Sequence, residues 1–204
     1  MNLEIKPFTP DLAEDYFDFH DNRAFSDHAE WSHCYCITFC KGITIDQAMP
    51  EEAKDDEGGE EASVRAHRKR AENCILNGAL QGYVAYADGL LVGWCNANDK
   101  EAYTRFDFDE EMSDFIRGNG SERVKSILCF CIAPEYRGKG VAAALLERVL
   151  RDAKEEGYAA VEGYPRLHGQ HEPFDFTGPL HLWEKMGFCK VAEKGNVAVM
   201  RYSL

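Results

Sequence analysis

The residues with the clearest chemical signature form one glycine-rich turn, Arg137-Gly138-Lys139-Gly140. An apolar run at residues 127–132 predicts a buried strand before the turn, and Pro134 ends that strand because proline cannot donate to a sheet. Apolar residues at helical spacing begin at Val141 and predict a helix after the turn. Backbone N–H groups at a helix start attract anions, and two glycines and two cations strengthen this preference. The turn is therefore a candidate phosphate site.

Two familiar nucleotide-binding patterns do not fit this turn. A Walker loop has four residues between its glycines and ends in Gly-Lys-Ser/Thr, and a dinucleotide fingerprint has three spaced glycines. The turn instead resembles the pyrophosphate-binding signature of the GNAT acetyltransferase superfamily, which is arginine or glutamine, two residues, glycine, one residue, and glycine or alanine. Arg137, Gly140 and Ala142 match it, and Pro134-Glu135-Tyr136 stand before them as is usual in the family. The alternative is a turn that only caps a helix.

A second stretch near the C-terminus strengthens the resemblance and also departs from it. Residues 182–188 read Leu-Trp-Glu-Lys-Met-Gly-Phe, which is similar to the family element Leu-Tyr-x-Lys-x-Gly-Phe. In many members that tyrosine protonates the departing thiolate, whereas the indole N–H of Trp183 donates a hydrogen bond but no proton. The asparagine that members often carry seven residues upstream is Phe176 here. Either another group, such as Tyr164, supplies the proton, or the thiolate leaves without dedicated help.

The resemblance implies acetyl-CoA as the acyl donor and a backbone cradle that holds it. In the family, the strand before the turn separates from its neighbour and leaves backbone groups free for the pantetheine arm. By position, Cys131 and Ile132 supply those contacts, and a backbone N–H of this strand polarises the thioester carbonyl. Arg137 and Trp183 belong to the same predicted cofactor site. The pyrophosphate is expected on the backbone N–H groups of Gly138, Lys139, Gly140, Val141 and Ala142.

Acyl transfer to an amine also needs a group that handles the amine proton. A lysine-like amine with a pKa of ~10.4 costs about 4.6 kcal/mol to deprotonate at pH 7, and a general base lowers that cost. Glu162 is the first candidate, because it lies on the predicted strand after the long helix, beside the expected reaction centre. The alternative role for Glu162 is to orient the substrate or the backbone. Weaker candidates are His181, Asp175 and His171.

Composition bounds the class of protein and its partners. The chain has 204 residues, of which 45% are hydrophobic, and this suits one globular domain over residues 1–204. No apolar run approaches the ~20 residues of a membrane span, and residues 1–8 lack a secretory signal pattern, so we expect a cytoplasmic protein. The formal charge of −13 argues against nucleic acid and membrane partners and favours a cationic amine acceptor, although acidic surfaces also simply keep proteins soluble. The oligomeric state is left open, with a homodimer as one option.

Eight cysteines raise the question of a metal or thiol function. Cys34, Cys36 and Cys40 lie near His28 and His33 in the sequence, and such a set could ligate zinc. However, no two of the cysteines have the two-residue gap that is usual in zinc sites, and several stand in apolar runs, where reduced cysteine packs as a small hydrophobic residue. We therefore expect no metal, and reduced thiols in a cytoplasmic protein.

The predicted elements alternate between strands and helices. Asp88-Gly89 predicts a hairpin between two strands, residues 34–40 suggest a further strand, residues 109–116 a short helix, and the acidic residues 51–61 a solvated loop. The remaining predictions are strands at residues 3–8, 82–87, 90–97, 127–132, 159–163, 189–193 and 197–202, and helices at residues 10–22, 63–77, 141–156 and 179–186.

This order is that of the GNAT family, and the resemblance is sharpest from Gly82 to the C-terminus. It implies an α/β GNAT acyl-CoA N-acyltransferase fold, with a central mixed, mostly antiparallel twisted sheet flanked by helices. The implied activity is transfer of an acetyl group from acetyl-CoA to a primary amine of a small molecule or peptide, by direct attack in a ternary complex. The alternatives are a non-catalytic acyl-CoA-binding sensor, which Trp183 motivates, and a metal- or thiol-dependent protein built on Cys34, Cys36 and Cys40.

Overall fold

The structure is a computed structural model that describes residues 1–40, 43, 59–103, 115, 122–168 and 176–204. Its strands are β1 (Leu3–Pro7), β2 (Gly82–Ala87), β3 (Leu90–Asp99), β4 (Val124–Ile132), β5 (Ala160–Gly163), β6 (Cys189–Lys194) and β7 (Val197–Ser203). Its α-helices are α1 (Ala13–Asn22), α2 (Gly59–Leu76), α3 (Val141–Glu155) and α4 (Leu180–Lys185). Short 3₁₀ helices cover Pro10–Leu12, Ala29–Trp31, Ile37–Phe39, Lys100–Ala102 and Pro134–Tyr136.

The seven strands form one sheet in the order β1-β2-β3-β4-β5-β7-β6. Neighbouring strands are antiparallel except for β4 and β5, which are parallel and joined through α3. A parallel pair needs such a crossover, whereas β2 and β3 are joined by the Asp88-Gly89 turn, where both residues have positive φ. The expected fold class, a mixed and mostly antiparallel sheet flanked by helices, is confirmed.

The sheet opens between β4 and β5. Pairing of these strands runs from Val124 opposite Ala160 to Ile127 opposite Gly163, and then stops. At the same level the pairing of β3 with β4 skips Leu128, which is therefore an extra residue in β4. Such a bulge bends a strand and increases its twist. Within the described residues, β4 has no strand paired on its β5 side beyond Ile127, and this unpaired stretch, which we call the gap, leads toward the glycine-rich turn.

The two faces of the sheet carry different helices. α3 and α4 pack on one face, where Val141, Leu145 and Val149 of α3 are buried at helical spacing. α1, α2 and residues 35–40 cover the other face, around the buried rings of Tyr16 and Trp94. Removal of this apolar surface from water is the main force that holds the helices to the sheet.

Two of the sequence predictions need correction. Residues 34–40 are not a strand, because Tyr35 and Cys36 have φ values of +45° and +52°, and this left-handed conformation breaks an extended chain. A 3₁₀ helix at Ile37–Phe39 follows them instead. The acidic stretch 51–61 is not all loop, since α2 begins at Gly59. Residues 51–58, and the predicted helix at 109–116 apart from residue 115, lie outside the described residues.

The other helices agree with the sequence to within a few residues. Pro10, with its fixed φ, opens the turn before α1, and Gly157, at a φ of +76°, follows the end of α3. None of the helices in the described ranges is long and apolar enough to cross a membrane.

Candidate active site

The glycine-rich turn joins the end of β4 to the start of α3. Gly138 and Gly140 have φ values of +69° and +85°, which are costly for other residues. A Cβ at either glycine would meet nothing within 4 Å, so backbone conformation and not space requires glycine here. Because Gly140 is the N-cap of α3 and has no side chain, the first N–H groups of the helix receive no side-chain cap from it. This exposed helix start can accept an anion.

Arg137 is fixed between β4 and the chain that follows α1. Its Nε donates to the Ile132 carbonyl oxygen over 3.1 Å, and its guanidinium forms an ion pair with Asp27. Both side chains are partly exposed, so a phosphate that reaches the turn can approach the guanidinium. Such a phosphate would share Arg137 with the Asp27 carboxylate, since both are anionic acceptors of the same donors.

The backbone of β4 alternates between the β3 side and the gap. The Ala133 N–H donates to the Val92 carbonyl of β3 over 3.0 Å, whereas the Phe130 N–H donates over 2.6 Å to the Phe176 carbonyl, on the gap side. In an antiparallel ladder this alternation places the backbone groups of Cys131 toward β3 and those of Ile132 toward the gap. Phe130 and Ile132 therefore present their backbone groups to a ligand in the gap, whereas Cys131 presents its own to β3. The roles of these residues in cofactor binding stay predictions.

Phe130 was missed from the sequence, although a signal for it existed. Ile132 was singled out by its position before Pro134, and a residue two positions earlier on the same strand presents its backbone to the same side. The direction of that side depends on the bulge at Leu128, which the sequence does not reveal.

Trp183 fills the space beside the gap. Its side chain is completely buried and packs edge-on against Phe188, with the Phe130 ring 5.8 Å away. A Cβ at Gly163 would lie 2.0 Å from the Trp183 ring, so β5 can approach the indole only because that residue is glycine. The indole Nε1–H donates to the Thr177 carbonyl over 3.2 Å. Its single donor is thus engaged within the protein.

Glu162 and Tyr164 lie together in a buried polar network on the opposite face from Trp183. Glu162 accepts from Lys100 Nζ and from Arg201 Nη1, each over 2.8 Å on a different oxygen, and from the Tyr164 hydroxyl over 3.2 Å. The Tyr164 hydroxyl is also 2.8 Å from Ser126 Oγ. Burial, followed by the negative charge of Glu162, raises the pKa of Tyr164 well above its usual value. Tyr164 is therefore a protonated hydrogen-bond donor at neutral pH.

The structure separates His181 from this network. His181 is on the exposed side of α4 and takes no part in the hydrogen bonds around Glu162. His171 and Asp175 lie outside the described residues. Lys100 and Arg201, which the sequence did not single out, are 62 and 39 residues from Glu162, and no local pattern connects them.

Six of the eight cysteines are buried in the core. Within the described part of the chain, no three His, Cys, Asp or Glu side chains are arranged to hold a metal ion. All eight thiols are free, and only Cys189 is exposed. Cys36 hydrogen-bonds with Cys129 of β4, and Cys40 with Cys74 of α2. Burial raises the pKa of Cys95 and Cys131 well above the usual value, so these thiols stay protonated.

The fold is similar to those of several solved acetyltransferase structures. The PaiA N-acetyltransferase of Thermoplasma acidophilum, in complex with coenzyme A, aligns over 100% of both chains with a TM-score of 0.54 and 16% identity. An N-acetyltransferase of Staphylococcus aureus Mu50 aligns over 100% of this chain and 99% of its own, with a TM-score of 0.53 and 12% identity. An acetyltransferase of the GNAT family from Streptococcus pneumoniae aligns over 100% of this chain and 99% of its own, with a TM-score of 0.52 and 15% identity.

These likenesses establish the fold alone, since the identities are low. No curated protein sequence matches the chain. A model of the acetyltransferase (GNAT) family matches residues 45–188, which include the glycine-rich turn, both strands that border the gap, and Trp183. Because that match spans well over half of the sequence, the chain belongs to the GNAT acetyltransferase family.

Proposed function

We propose that the protein transfers an acetyl group from acetyl-CoA to a primary amine of a small molecule or peptide, by direct attack in a ternary complex. The observation that carries this proposal is the gap between β4 and β5, which ends at the anion-accepting start of α3. A long donor with a diphosphate at one end and a thioester at the other suits a site with this shape. The coenzyme A complex of the PaiA enzyme, which has the same fold, supports the choice of donor.

The backbone supplies the groups that such a donor needs. The N–H groups from Gly138 to Ala142 would hold the diphosphate, with Arg137 beside them, and Ile132 would contact the pantetheine arm. The N–H of Phe130 would polarise the thioester carbonyl, because it points into the gap. A fixed backbone donor of this kind stabilises negative charge that develops on oxygen during acyl transfer.

We assign Glu162 an orienting role, with Tyr164 as the donor that faces the reaction. Lys100 and Arg201 each occupy one oxygen of the Glu162 carboxylate, and this holds the carboxylate in one position. With both oxygens engaged by cations, the carboxylate has the geometry of a group that orients its neighbours. Tyr164 stays protonated, and its raised pKa makes it a weaker acid than free tyrosine, so it would stabilise a departing thiolate by a hydrogen bond and not by full proton transfer.

A screen of amines tests the activity. Purified protein is mixed with acetyl-CoA and a panel of polyamines, amino acids, aminoglycosides and peptide N-termini, and the free thiol released is measured. Amine-dependent thiol release supports the proposal. Tight binding of acetyl-CoA, measured by calorimetry, without turnover on any amine would overturn it in favour of an acyl-CoA sensor. The absence of any binding would overturn both.

A further inference from the structure

The gap between β4 and β5 is crossed by a short segment of the chain, residues 176–178, which we call the strap. The Phe176 carbonyl accepts from the Phe130 N–H over 2.6 Å. The Thr177 carbonyl accepts from the indole N–H of Trp183 over 3.2 Å. Thr177 and Gly178 are both buried, so the strap belongs to the packed interior of this structure.

Contacts of side chains hold the strap in the same place. A Cβ at Gly178 would lie 3.2 Å from the Phe130 ring, which shows how closely the backbone approaches that side chain. Gly178 has a φ of +77°, a conformation that glycine adopts at little cost. On the other side, the ring of Phe176 is 6.0 Å from that of Phe39. The strap therefore bridges α4, β4 and the 3₁₀ helix at Ile37–Phe39.

The strap and an acyl donor compete for one group. An amide N–H lies along one direction and makes one strong hydrogen bond, so the Phe130 N–H cannot serve the Phe176 carbonyl and a thioester carbonyl at once. We propose that the strap closes the donor site in the resting protein, that the donor must displace it from Phe130, and that Trp183 sets donor affinity by anchoring the strap. This inference rests on the proposed function, since the competing ligand is acetyl-CoA or coenzyme A.

The proposal gives a physical role to the tryptophan that departs from the family element. An indole N–H only donates, and its acceptor here is a backbone carbonyl of the strap. If the strap leaves the donor site open in only a fraction of the molecules, the apparent affinity for the donor is the intrinsic affinity multiplied by that fraction. Weakening the anchor raises the open fraction and must tighten donor binding. A direct contact of Trp183 with the donor predicts the reverse, that loss of the indole weakens binding.

Two variants weaken the strap by different means. Trp183→Phe keeps a ring but removes the N–H, and a hydrogen bond of this kind corresponds to about a two- to tenfold change in an equilibrium constant. Gly178→Ala places a methyl group 3.2 Å from the Phe130 ring at a φ that alanine disfavours, so it opposes the closed strap. The matched control is Gly187→Ala, because Gly187 has a φ of +86° and a Cβ there would lie 3.3 Å from the Tyr202 ring, away from the strap.

The test is coenzyme A binding by calorimetry together with hydrogen exchange of the Phe130 amide in the free proteins. We expect slow exchange in the wild type and in Gly187→Ala, faster exchange in Trp183→Phe and Gly178→Ala, and dissociation constants about two- to tenfold lower in those two variants. Fast exchange at Phe130 in the wild type would overturn the strap proposal and leave the proposed function standing. Coenzyme A affinities that are unchanged or weaker in both strap variants would do the same. If neither the wild type nor any of the three variants binds coenzyme A, the proposed function is wrong, and so is the strap proposal that rests on it.

Discussion

The Glu162 carboxylate and the Lys100 ammonium lie 2.8 Å apart inside the protein, with only 5% and 16% of their side chains exposed. Arg201 holds the second carboxylate oxygen over the same distance of 2.8 Å. Charges in such a position lose most of their hydration, and good mutual geometry is what compensates for that loss. The arrangement ties the 3₁₀ helix at Lys100–Ala102 and β7 to the strand β5 next to the proposed reaction centre.

The contacts of Glu162 with Lys100 and Arg201 predict that removal of the Glu162 charge lowers the stability of the protein strongly. Glu162→Gln keeps the size of the side chain but leaves Lys100 and Arg201 facing a neutral amide. Because removing one partner of a buried ion pair costs about 3–5 kcal/mol, we expect the free energy of unfolding to fall by about 3 kcal/mol. Urea denaturation followed by circular dichroism measures it. The control is Glu193→Gln, which breaks an exposed pair with Lys190 and should change nothing measurable.

The same variant separates the two roles considered for Glu162. If the carboxylate orients its neighbours, Glu162→Gln should keep kcat within about tenfold of the wild type and retain the acidic limb of the pH–rate profile. Loss of a general base costs about 10²- to 10⁴-fold and removes that limb. Steady-state rates from pH 6 to 10, measured with the best amine of the screen, decide between these outcomes.

The glycine-rich turn offers a matched pair of substitutions. Gly140 and Gly157 flank the two ends of α3, have φ values of +85° and +76°, and would each place a Cβ in open space. Valine at either position should destabilise the fold to a similar extent, by about 1–2 kcal/mol, because both sites demand a left-handed conformation. Only Gly140→Val should abolish coenzyme A binding in calorimetry, since only Gly140 shapes the proposed diphosphate cradle. Retained binding in Gly140→Val would show that the diphosphate lies elsewhere.

Much of this site follows from local sequence signals. Strand, proline, two glycines and helix succeed one another within 25 residues, and each signal depends only on near neighbours, so the β4–turn–α3 unit was predicted with its parts in place. The Asp88-Gly89 hairpin was predicted for the same reason.

The parts that escaped prediction depend on distant contacts or on unusual backbone. The pairing of Lys100 with Glu162 spans 62 residues, and nothing in either local sequence points to the other. The run Cys34-Tyr35-Cys36-Ile37 resembles a buried strand, yet Tyr35 and Cys36 are buried with left-handed φ values, which nothing in the local sequence indicates. The hydrogen bond from Phe130 to Phe176 likewise joins two parts of the chain that are distant in the sequence.

The ion pair between Arg137 and Asp27 predicts that removal of the Asp27 charge strengthens coenzyme A binding. The Asp27 carboxylate occupies the guanidinium that would face the diphosphate, and it also repels that diphosphate. We therefore expect Asp27→Asn to tighten coenzyme A binding about two- to fivefold at low salt, an effect of the size of an exposed ion pair, and to lose this gain at high salt. Calorimetry at two salt concentrations measures it. Asp18→Asn, which releases Arg23 at the C-terminal end of α1, is the control and should leave the affinity unchanged.

A last prediction concerns acid stability and a histidine far from the proposed chemistry. His20 is buried among the aromatic rings on α1, and its Nδ1–H donates to the Tyr16 carbonyl over 2.9 Å. Burial lowers the pKa of His20 to about 4, only partly opposed by this hydrogen bond and by the charge of Asp21. The unfolded chain takes up a proton near pH 6.5, whereas the folded protein does not until the pH nears 4. Stability should therefore fall by about 3 kcal/mol as the pH drops from 6.5 to 4, and change no further through this group below that.

The variant His20→Asn tests this sign, because it retains a donor for Tyr16 but does not titrate. Its free energy of unfolding should lie below that of the wild type at pH 7, where the packing loss dominates, and the difference should shrink steadily toward pH 4. The control is His168→Asn, at an exposed site, which should leave the free energy of unfolding at pH 7 unchanged. Parallel curves for His20→Asn and the wild type would mean that His20 binds its proton equally in the folded and unfolded chain, and that some other group governs acid unfolding.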